Sequence, residues 1–314
     1  MDGVKGKRIG VLMGGPSCER DISLKSGTAV CRALENNGIK PVPLELIKAS
    51  TMNGYGEEVA SMIHASNIDV AFIALHGEFG EDGCVQEILE QLKIPYTGSG
   101  IKASRLGMDK IRSKEIFEAN NIPTPRYRVV EKTMDSSRDY LKLLGSPVVV
   151  KPSDEGSSIG LSIVDSEKDF NDALNNAFTY SDRVVIEQYI RGREITVGVL
   201  EDKALPVVEI IPSKRFFDFE AKYKEGMTEY KVPAEIDTQT YAACQRIGLE
   251  AHKALGARFF SRVDMILNKD NKPVVLEVNT IPGLTETSLL PKAAHAAGIG
   301  FNQLIFKILE QILW

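Results

Sequence analysis

Three side chains in the stretches "RVDMIL" and "PVVLEVN" have the chemistry of hard-cation ligands: Asp264, Glu277 and Asn279. Glu277 and Asn279 lie two positions apart, so on a strand they share one face. The "NKDNK" between the two stretches is a hairpin signal. Symmetric closure across that loop is expected to set Asp264 opposite Glu277 and Arg262 opposite Asn279, all on one face. Two carboxylates directly across strands repel unless a cation lies between them. Oxygen donors of this kind suit Mg²⁺, which completes a partial shell with waters and phosphate oxygens. The alternative is a solvent-facing pair of polar rows, and a one-residue slip would abolish the facing.

Other stretches carry weaker signals. "VVVKPSDEGSSIG" puts Lys151 at the end of an apolar strand, followed by a small-residue loop whose N–H groups can close over phosphates. An ordinary strand-turn-strand link competes with that reading, and the P-loop pattern is absent from the chain. "VVIEQYIRGRE" places Glu187 at a strand end and Glu194 seven residues later, either lining a nucleotide cleft or forming a plain connection. "FFDFEAKYKEG", with Lys222 and Tyr223, is a loop over a site or a surface excursion. Glu19 in "GGPSCERD" and His76 in "LHGEFGEDG" stand at strand ends, with surface or structural roles as the alternative.

The elements that must position these groups are an alternation followed by a run of strands. "KRIGVLM", the helix "DISLKSGTAVCRALENNG" ended by Gly38, "KPVPLELI", a helix around 56–66, "IDVAFIAL" and the helix "CVQEILEQLK" predict a parallel sheet covered by helices. Ligands of such sheets gather at the carboxyl ends of the strands, where "GGPSCERD" and "HGEFGEDG" lie. A second unit follows the turn cluster near Gly98, with the helix "KIRSKEIFEANN", then "RYRVV", a helix, "PVVVKPS", "LSIV" and a further helix. "DRVVIEQYI", apolar at alternate positions, leads to antiparallel strands "EITVGVL", "ALPVVEII", "FSRVDMIL" and "PVVLEVN", and two helices close the chain. No internal repeat or low-complexity tract is found.

Bulk properties bound the function. The 314 residues, 43% hydrophobic and 26% charged, predict two or three domains with real cores and no disorder. A net charge of -5 argues against a general nucleic-acid binder. The four scattered cysteines fit reduced thiols better than a disulfide framework or a zinc site, and the four histidines lack metal-ligand spacing. The N-terminal run reads as no signal peptide and no segment approaches a membrane span, so a cytoplasmic protein without membrane partners is expected.

Taken together, "LMGGPSCERDIS", "ALHGEFGEDG", "PYTGSG", "MDKIRSK", "VVVKPSDEGSSIG", "FDFEAKY", "SRVDMIL" and "LEVNTIPGLTETSL" occur in an order that resembles the D-alanine–D-alanine ligase family of the ATP-grasp superfamily. The likeness runs from about residue 8 to about residue 300. It implies an α/β (α+β) three-domain fold: an N-terminal parallel domain (1–98), a central ATP-grasp domain (99–187) and a C-terminal catalytic one (188–314). It also implies ATP and two Mg²⁺ ions, with Mn²⁺ as a substitute, and a homodimer. ATP would phosphorylate one D-alanine, and a second would attack the acylphosphate to give the dipeptide used in peptidoglycan.

Residue by residue, the resemblance assigns Asp264, Glu277 and Asn279 to the metal, and Lys110, Lys151 and Lys222 to phosphates. Glu187, Gln188 and Ile190 fall at the adenine and Glu194 at the ribose. Gln188 departs from the lysine frequent there. Glu19 would hold the first ammonium, linked through Ser157 and Tyr223 to the closing loop. His76 would line the acceptor pocket, Arg262 and the N–H of Gly283 would stabilise the attacked carbonyl, and Ser288 would bind the second carboxylate at a helix start. Two rivals remain: a depsipeptide ligase using D-lactate, against which the intact "EAKY" counts, and a nucleotide-binding scaffold without turnover.

Overall fold

The computed structural model describes residues 6–47, 52–133, 140–212 and 228–312. Lys222, Tyr223 and the loop reading of "FFDFEAKYKEG" lie outside the described residues.

The first unit contains β1 (Ile9–Gly14), α1 (Arg20–Asn36), β2 (Val42–Leu46), α2 (Tyr55–Ala65), β3 (Val70–Ile73) and α3 (Cys84–Gln91). Its sheet is parallel, in the order β2-β1-β3. Every residue of β1 is buried, as a strand covered on both faces must be. Gly38, at φ 75°, ends α1 as expected, and Ile39 N–H returns to Leu34 O at 3.0 Å.

The second unit holds α4 (Ile101–Met108), α5 (Lys110–Ala119), β4 (Tyr127–Glu131), α6 (Tyr140–Leu144), β5 (Val148–Pro152), β6 (Ser162–Val164), α7 (Glu167–Ala177) and β7 (Arg183–Gln188). The sheet is antiparallel, ordered β4-β7-β5-β6. Two readings change here. Residues 101–108, to which the sequence reading assigned no element, form a helix that Asp109 separates from α5. The Asp109 carboxylate caps α5 by accepting from Ile111 and Arg112 N–H at 2.9 and 3.1 Å. β7 is not alternating: Val184 through Glu187 are all buried, because the strand lies between β4 and β5 and is covered on both faces.

The third unit contains β8 (Gly192–Leu200), β9 (Lys203–Ala204), β10 (Val208–Pro212), β11 (Thr228–Lys231), α8 (Thr238–Ala254), β12 (Phe260–Asn268), β13 (Pro273–Asn279), α9 (Leu289–Ala296) and α10 (Phe301–Glu310). Its strands run antiparallel in the order β11-β10-β8-β12-β13, with β9 beside β8. "ALPVVEII" is not one strand: it is divided between β9 and β10 around Leu205–Val207. The long helix α8 was unanticipated. It is capped by Asp237, which accepts from Thr240 N–H at 2.9 Å, and it buries Cys244, Ile247, Gly248 and Ala251 against β8, β12 and β13.

The β12–β13 hairpin reaches the expected facing by a different route. From the loop inward, Leu267 pairs with Pro273, Ile266 with Val274 and Met265 with Val275. Continued without interruption, that symmetry would set Asp264 against Leu276. A bulge shifts the register between Met265 and Asp264, so Asp264 meets Glu277 and Arg262 meets Asn279. Val263, Met265, Val275 and Val278 turn to the core under α8, which leaves the polar set on the opposite face.

The chain's far end completes the first core. Leu290 and Ala293 of α9 and Leu304, Ile305, Ile308 and Leu309 of α10 pack with Ile9, Val11, Val30, Leu34 and Phe72. On the other side of the same sheet, Ile281, just past the hairpin, is buried among Leu12, Ile73 and Leu75. Among the described residues no helix is long and apolar enough to cross a membrane. Because Ile305 is fully enclosed, Ile305→Ala should cost about 2–5 kcal/mol. Urea unfolding would measure this, and a loss below about 1 kcal/mol would show that α10 is not integral to the first core.

Candidate active site

The polar face of the hairpin carries more charge than its three proposed ligands. Arg262 makes a two-pronged bond to Asp264, Nε to Oδ1 at 2.9 Å and Nη2 to Oδ2 at 2.7 Å. The Thr196 hydroxyl on β8, directly across from Asp264, donates to Oδ1 at 2.6 Å. Glu277 has Lys110 Nζ at 3.8 Å from its Oε2. With its amide oriented to match its neighbours, Asn279 accepts from Arg262 Nη2 at 3.1 Å and donates to Glu81 Oε1 at 2.6 Å. Basic side chains therefore stand against both facing carboxylates, where the sequence called for a cation.

Glu19 and His76, for which surface positions were open, are both buried. Glu19, just before α1, accepts a hydrogen bond from Ser157 Oγ in the small-residue loop. That contact needs close backbone approach on two sides. A Cβ at Gly77 would come within 2.8 Å of Glu19 Oε2, and one at Gly156 within 3.3 Å. Gly77 also sits at φ 69°, a conformation side chains disfavour. Ser157 and Ser158 themselves adopt positive φ, at 49° and 60°, so the loop holds an unusual path over the site.

His76 presents no spare nitrogen. Nδ1 lies 3.0 Å from Ile281 O and Nε2 2.9 Å from Ser26 Oγ, which also accepts from Leu284 N–H at 3.2 Å. Burial lowers its pKa, so the neutral ring ties the loop after β3 to the segment after the hairpin. Glu81, a residue the sequence reading missed, does the same from the next turn. Its carboxylate accepts from Gly77 N–H at 2.7 Å and Ile281 N–H at 3.2 Å. Burial first, and the nearby Glu19 second, push its pKa up to about 8. Its location in the polar loop at the carboxyl end of the third strand was the available signal.

Two cavities open from this junction. One, of ≈ 240 Å³, is bounded by Glu19, His76, Ser157, Arg262, Gly283 and Ser288. Ser288 precedes α9 but does not cap it with its side chain; its hydroxyl instead lies 2.8 Å from Thr285 Oγ1 and close to Gly283. The other cavity, of ≈ 370 Å³, has apolar walls of Val149, Ile163, Ile190, Ile210, Ile266 and Leu276, with Lys151, Glu187, Gln188, Glu194 and Asp264 set among them. The bulge lets adjacent Leu276 and Glu277 both face it. Lys110, Glu155, Gly156 and Glu277 line both cavities, so the two adjoin.

Local devices fix the cationic groups. Asp109, besides capping α5, pairs with Arg183 of β7 at 2.9 Å, which sets Lys110 at the start of α5 beside the second sheet. Lys110 N–H bonds Ser153 O at 2.8 Å and its ammonium donates to Glu155 O. Lys151 Nζ is 2.9 Å from Glu187 Oε1, and Lys114, another residue missed in sequence, reaches the same oxygen at 2.9 Å. Gln188 has its side-chain oxygen held by Arg126 Nε at 3.1 Å, and its N–H donates to Arg126 O at 2.8 Å. All the residues singled out by sequence that lie within the described chain therefore border one of the two cavities. The arrangement suits a ligand with a flat apolar part in the larger cavity and an anionic part at the junction, meeting a small zwitterion in the other.

Comparison with known proteins agrees with this geometry. Residues 8–99 match the family described as D-ala D-ala ligase N-terminus, and residues 116–310 the one described as D-ala D-ala ligase C-terminus. A D-alanine–D-alanine ligase of Geotalea uraniireducens is 45% identical over 309 residues, spanning 98% of this chain and 96% of that protein. The crystal structure of D-alanine–D-alanine ligase from Bacillus anthracis complexed with ATP matches with a TM-score of 0.85 at 38% identity, over 98% of both chains. That of VanG D-Ala:D-Ser ligase from Enterococcus faecalis gives a TM-score of 0.82 at 28% identity, over 98% of this chain and 99% of that one. The chain belongs to the D-alanine–D-alanine ligase family and has its ATP-grasp fold.

Proposed function

We propose that this chain joins two D-alanine molecules into D-alanyl-D-alanine with conversion of ATP to ADP and phosphate, supplying a peptidoglycan precursor. The observation that carries the reading is an apolar-walled cavity that adjoins a polar one at Lys110, Glu155, Gly156 and Glu277. In it, adenine lies between the walls near Glu187, Gln188 and Ile190, ribose near Glu194, and the phosphates run past Lys151 toward Lys110. Lys222 and Tyr223 belong to the same site in this reading, Lys222 at phosphate and Tyr223 linked to Glu19 through Ser157. We divide the chain into domains at about residues 98 and 187, and infer a cytoplasmic homodimer from the family.

Glu19 holds the ammonium of the first D-alanine, whose carboxylate oxygen attacks the γ-phosphorus. The bond from that phosphorus to the bridging oxygen breaks, and ADP departs. The amine of the second D-alanine then attacks the acylphosphate carbonyl, losing a proton as the C–N bond forms. Arg262 and Gly283 N–H meet the charge on the tetrahedral oxygen, and phosphate leaves with its C–O bond. Ser288, with Thr285, orients the second carboxylate at the start of α9. His76 holds the wall of this pocket through Ile281.

The donor set fits Mg²⁺. Asp264, Glu277 and Asn279 offer only oxygen ligands toward the junction, and two of them face each other with basic groups already drawn against them. When bound there, two such ions neutralise phosphate charge, with Mn²⁺ an acceptable substitute. The acceptor is D-alanine.

Mass spectrometry of products from ATP with D-alanine, D-lactate and D-serine together tests the reaction, and D-alanyl-D-alanine is expected to dominate. Predominant depsipeptide at neutral pH, or a serine-terminated product, would replace the acceptor, and ATP binding without phosphate release would leave a scaffold. Glu277→Gln should lower turnover by about a hundredfold or more while the thermal midpoint stays near that of the parent. Near-normal activity with Mg²⁺ would rule out the ligand assignment. Gly77→Ala places a methyl 2.8 Å from Glu19 Oε2, and should raise the KM for D-alanine about tenfold with little change for ATP. Initial-rate kinetics with each substrate varied would reveal an equal effect on both, which this placement excludes.

A further inference from the structure

Lys114 borders neither cavity and is wholly buried, yet it touches the machinery of both later units. It projects from α5 one turn beyond Lys110. Its ammonium lies 2.9 Å from Glu187 Oε1 on β7 and donates to Thr124 Oγ1 at 2.8 Å. The Thr124 hydroxyl in turn donates to Val275 O at 2.9 Å, and Val275 N–H returns to Pro123 O at 2.7 Å. Val275 stands next to the bulge that brings Glu277 to the site. The Tyr127 ring of β4 lies 5.5 Å from the same ammonium. One buried cation thus joins the strand of Glu187, the strand of Glu277 and the helix of Lys110.

Charge counting gives this arrangement a purpose. Lys151 reaches the larger cavity and is 2.9 Å from Glu187, with which it would form a neutral pair if the two stood alone. A lysine neutralised in that way attracts an anion weakly. Lys114, which lines neither cavity, lies 2.9 Å from the same carboxylate oxygen, so the trio of Lys114, Lys151 and Glu187 carries one net positive charge. Burial acts to raise the Glu187 carboxyl, but the two ammonium groups more than offset it and hold it below its ordinary range. Burial is also the main reason that the Lys114 ammonium titrates lower, at about 8, with Lys151 adding to the effect and Glu187 opposing it.

We propose that Lys114 is a positioning residue for phosphate binding: it satisfies Glu187 from behind and so leaves Lys151 with uncompensated positive charge toward the triphosphate of ATP. This rests on the reading of the larger cavity as the ATP site. A purely structural ion pair would behave differently, since buried pairs are often replaceable by apolar groups at little cost.

The test is calorimetric titration of wild type, Lys114→Met and the double variant Lys114→Met with Glu187→Gln, each with ATP and with adenosine. Lys114→Met should weaken ATP about tenfold and leave adenosine within about twofold, because only the phosphates feel the lost charge. The double variant again has one net positive charge, so its ATP-to-adenosine affinity ratio should return to within about threefold of wild type. An unchanged ATP affinity in Lys114→Met overturns the proposal, as does an equal loss for both ligands or a double variant no better than the single. If Lys114→Met does not fold, Lys114→Gln, which keeps a polar group toward Glu187 and Thr124 but carries no charge, takes its place with the same expected loss for ATP and not for adenosine. D-Alanine-dependent phosphate release by the wild type tests the parent reading separately, so failure of one is not mistaken for failure of the other.

Discussion

Two carboxylates face each other across adjacent strands at Asp264 and Glu277, and their repulsion is the constraint around which the cleft is built. Arg262 and Thr196 answer it on one side, and Lys110 on the other. Each of these groups is itself fixed by something beyond the hairpin. Lys110 begins a helix capped by Asp109, and Asp109 is tied to Arg183 in the second sheet. Asn279 leads through its amide to Glu81 in the first unit. A local electrostatic problem on one hairpin therefore recruits all three sheets. A phosphate-bearing substrate enters a field already arranged for charges of both signs.

The three units contribute unlike things to the common site. The parallel sheet supplies loops at its carboxyl ends, with glycine at 77 where a carboxylate must approach the backbone closely. The middle sheet supplies cations on rigid strands and a loop with two serines at positive φ. The last sheet supplies the polar hairpin and the segment from Thr280 to Ser288. Burial of Ile281 in the first core, with His76 and Glu81 bonded to its backbone, prevents that segment from moving independently of the first unit. Precise placement of two small zwitterions depends on such cross-ties, because each substrate offers few atoms by which it can be held.

Much of this was legible in the residues, and the gaps have definite causes. The parallel first sheet followed from buried runs alternating with amphipathic helices, and Gly38 marked its helix end. The Asp264–Glu277 facing was expected from symmetric closure, but true symmetry pairs Asp264 with Leu276, and the facing holds only through a bulge that nothing in "VVLEV" announces. β7 was read as apolar at alternate positions, whereas Val184 through Glu187 are all buried, Glu187 against two lysines. The helix α8 was announced by Asp237 and the apolar stripe Cys244, Ile247, Ala251, and simply went unread. Glu81 had only its place in a polar loop to mark it, and Lys114 was hidden for a deeper reason. A buried charge is defined by partners distant in sequence, and single-chain periodicity carries no trace of them.

The packing of α9 and α10 against β1 and α1 has a consequence for how the protein comes to exist. A ribosome makes the first sheet early, but one face of it has only α1 as apolar cover until the last helices emerge. During that interval Ile9, Val11, Val30, Leu34 and Phe72 have no partners from the distant end of the chain. Such exposed surface is what chaperones bind and what aggregation begins from. The sheet that is translated first is thus among the last parts to be finished.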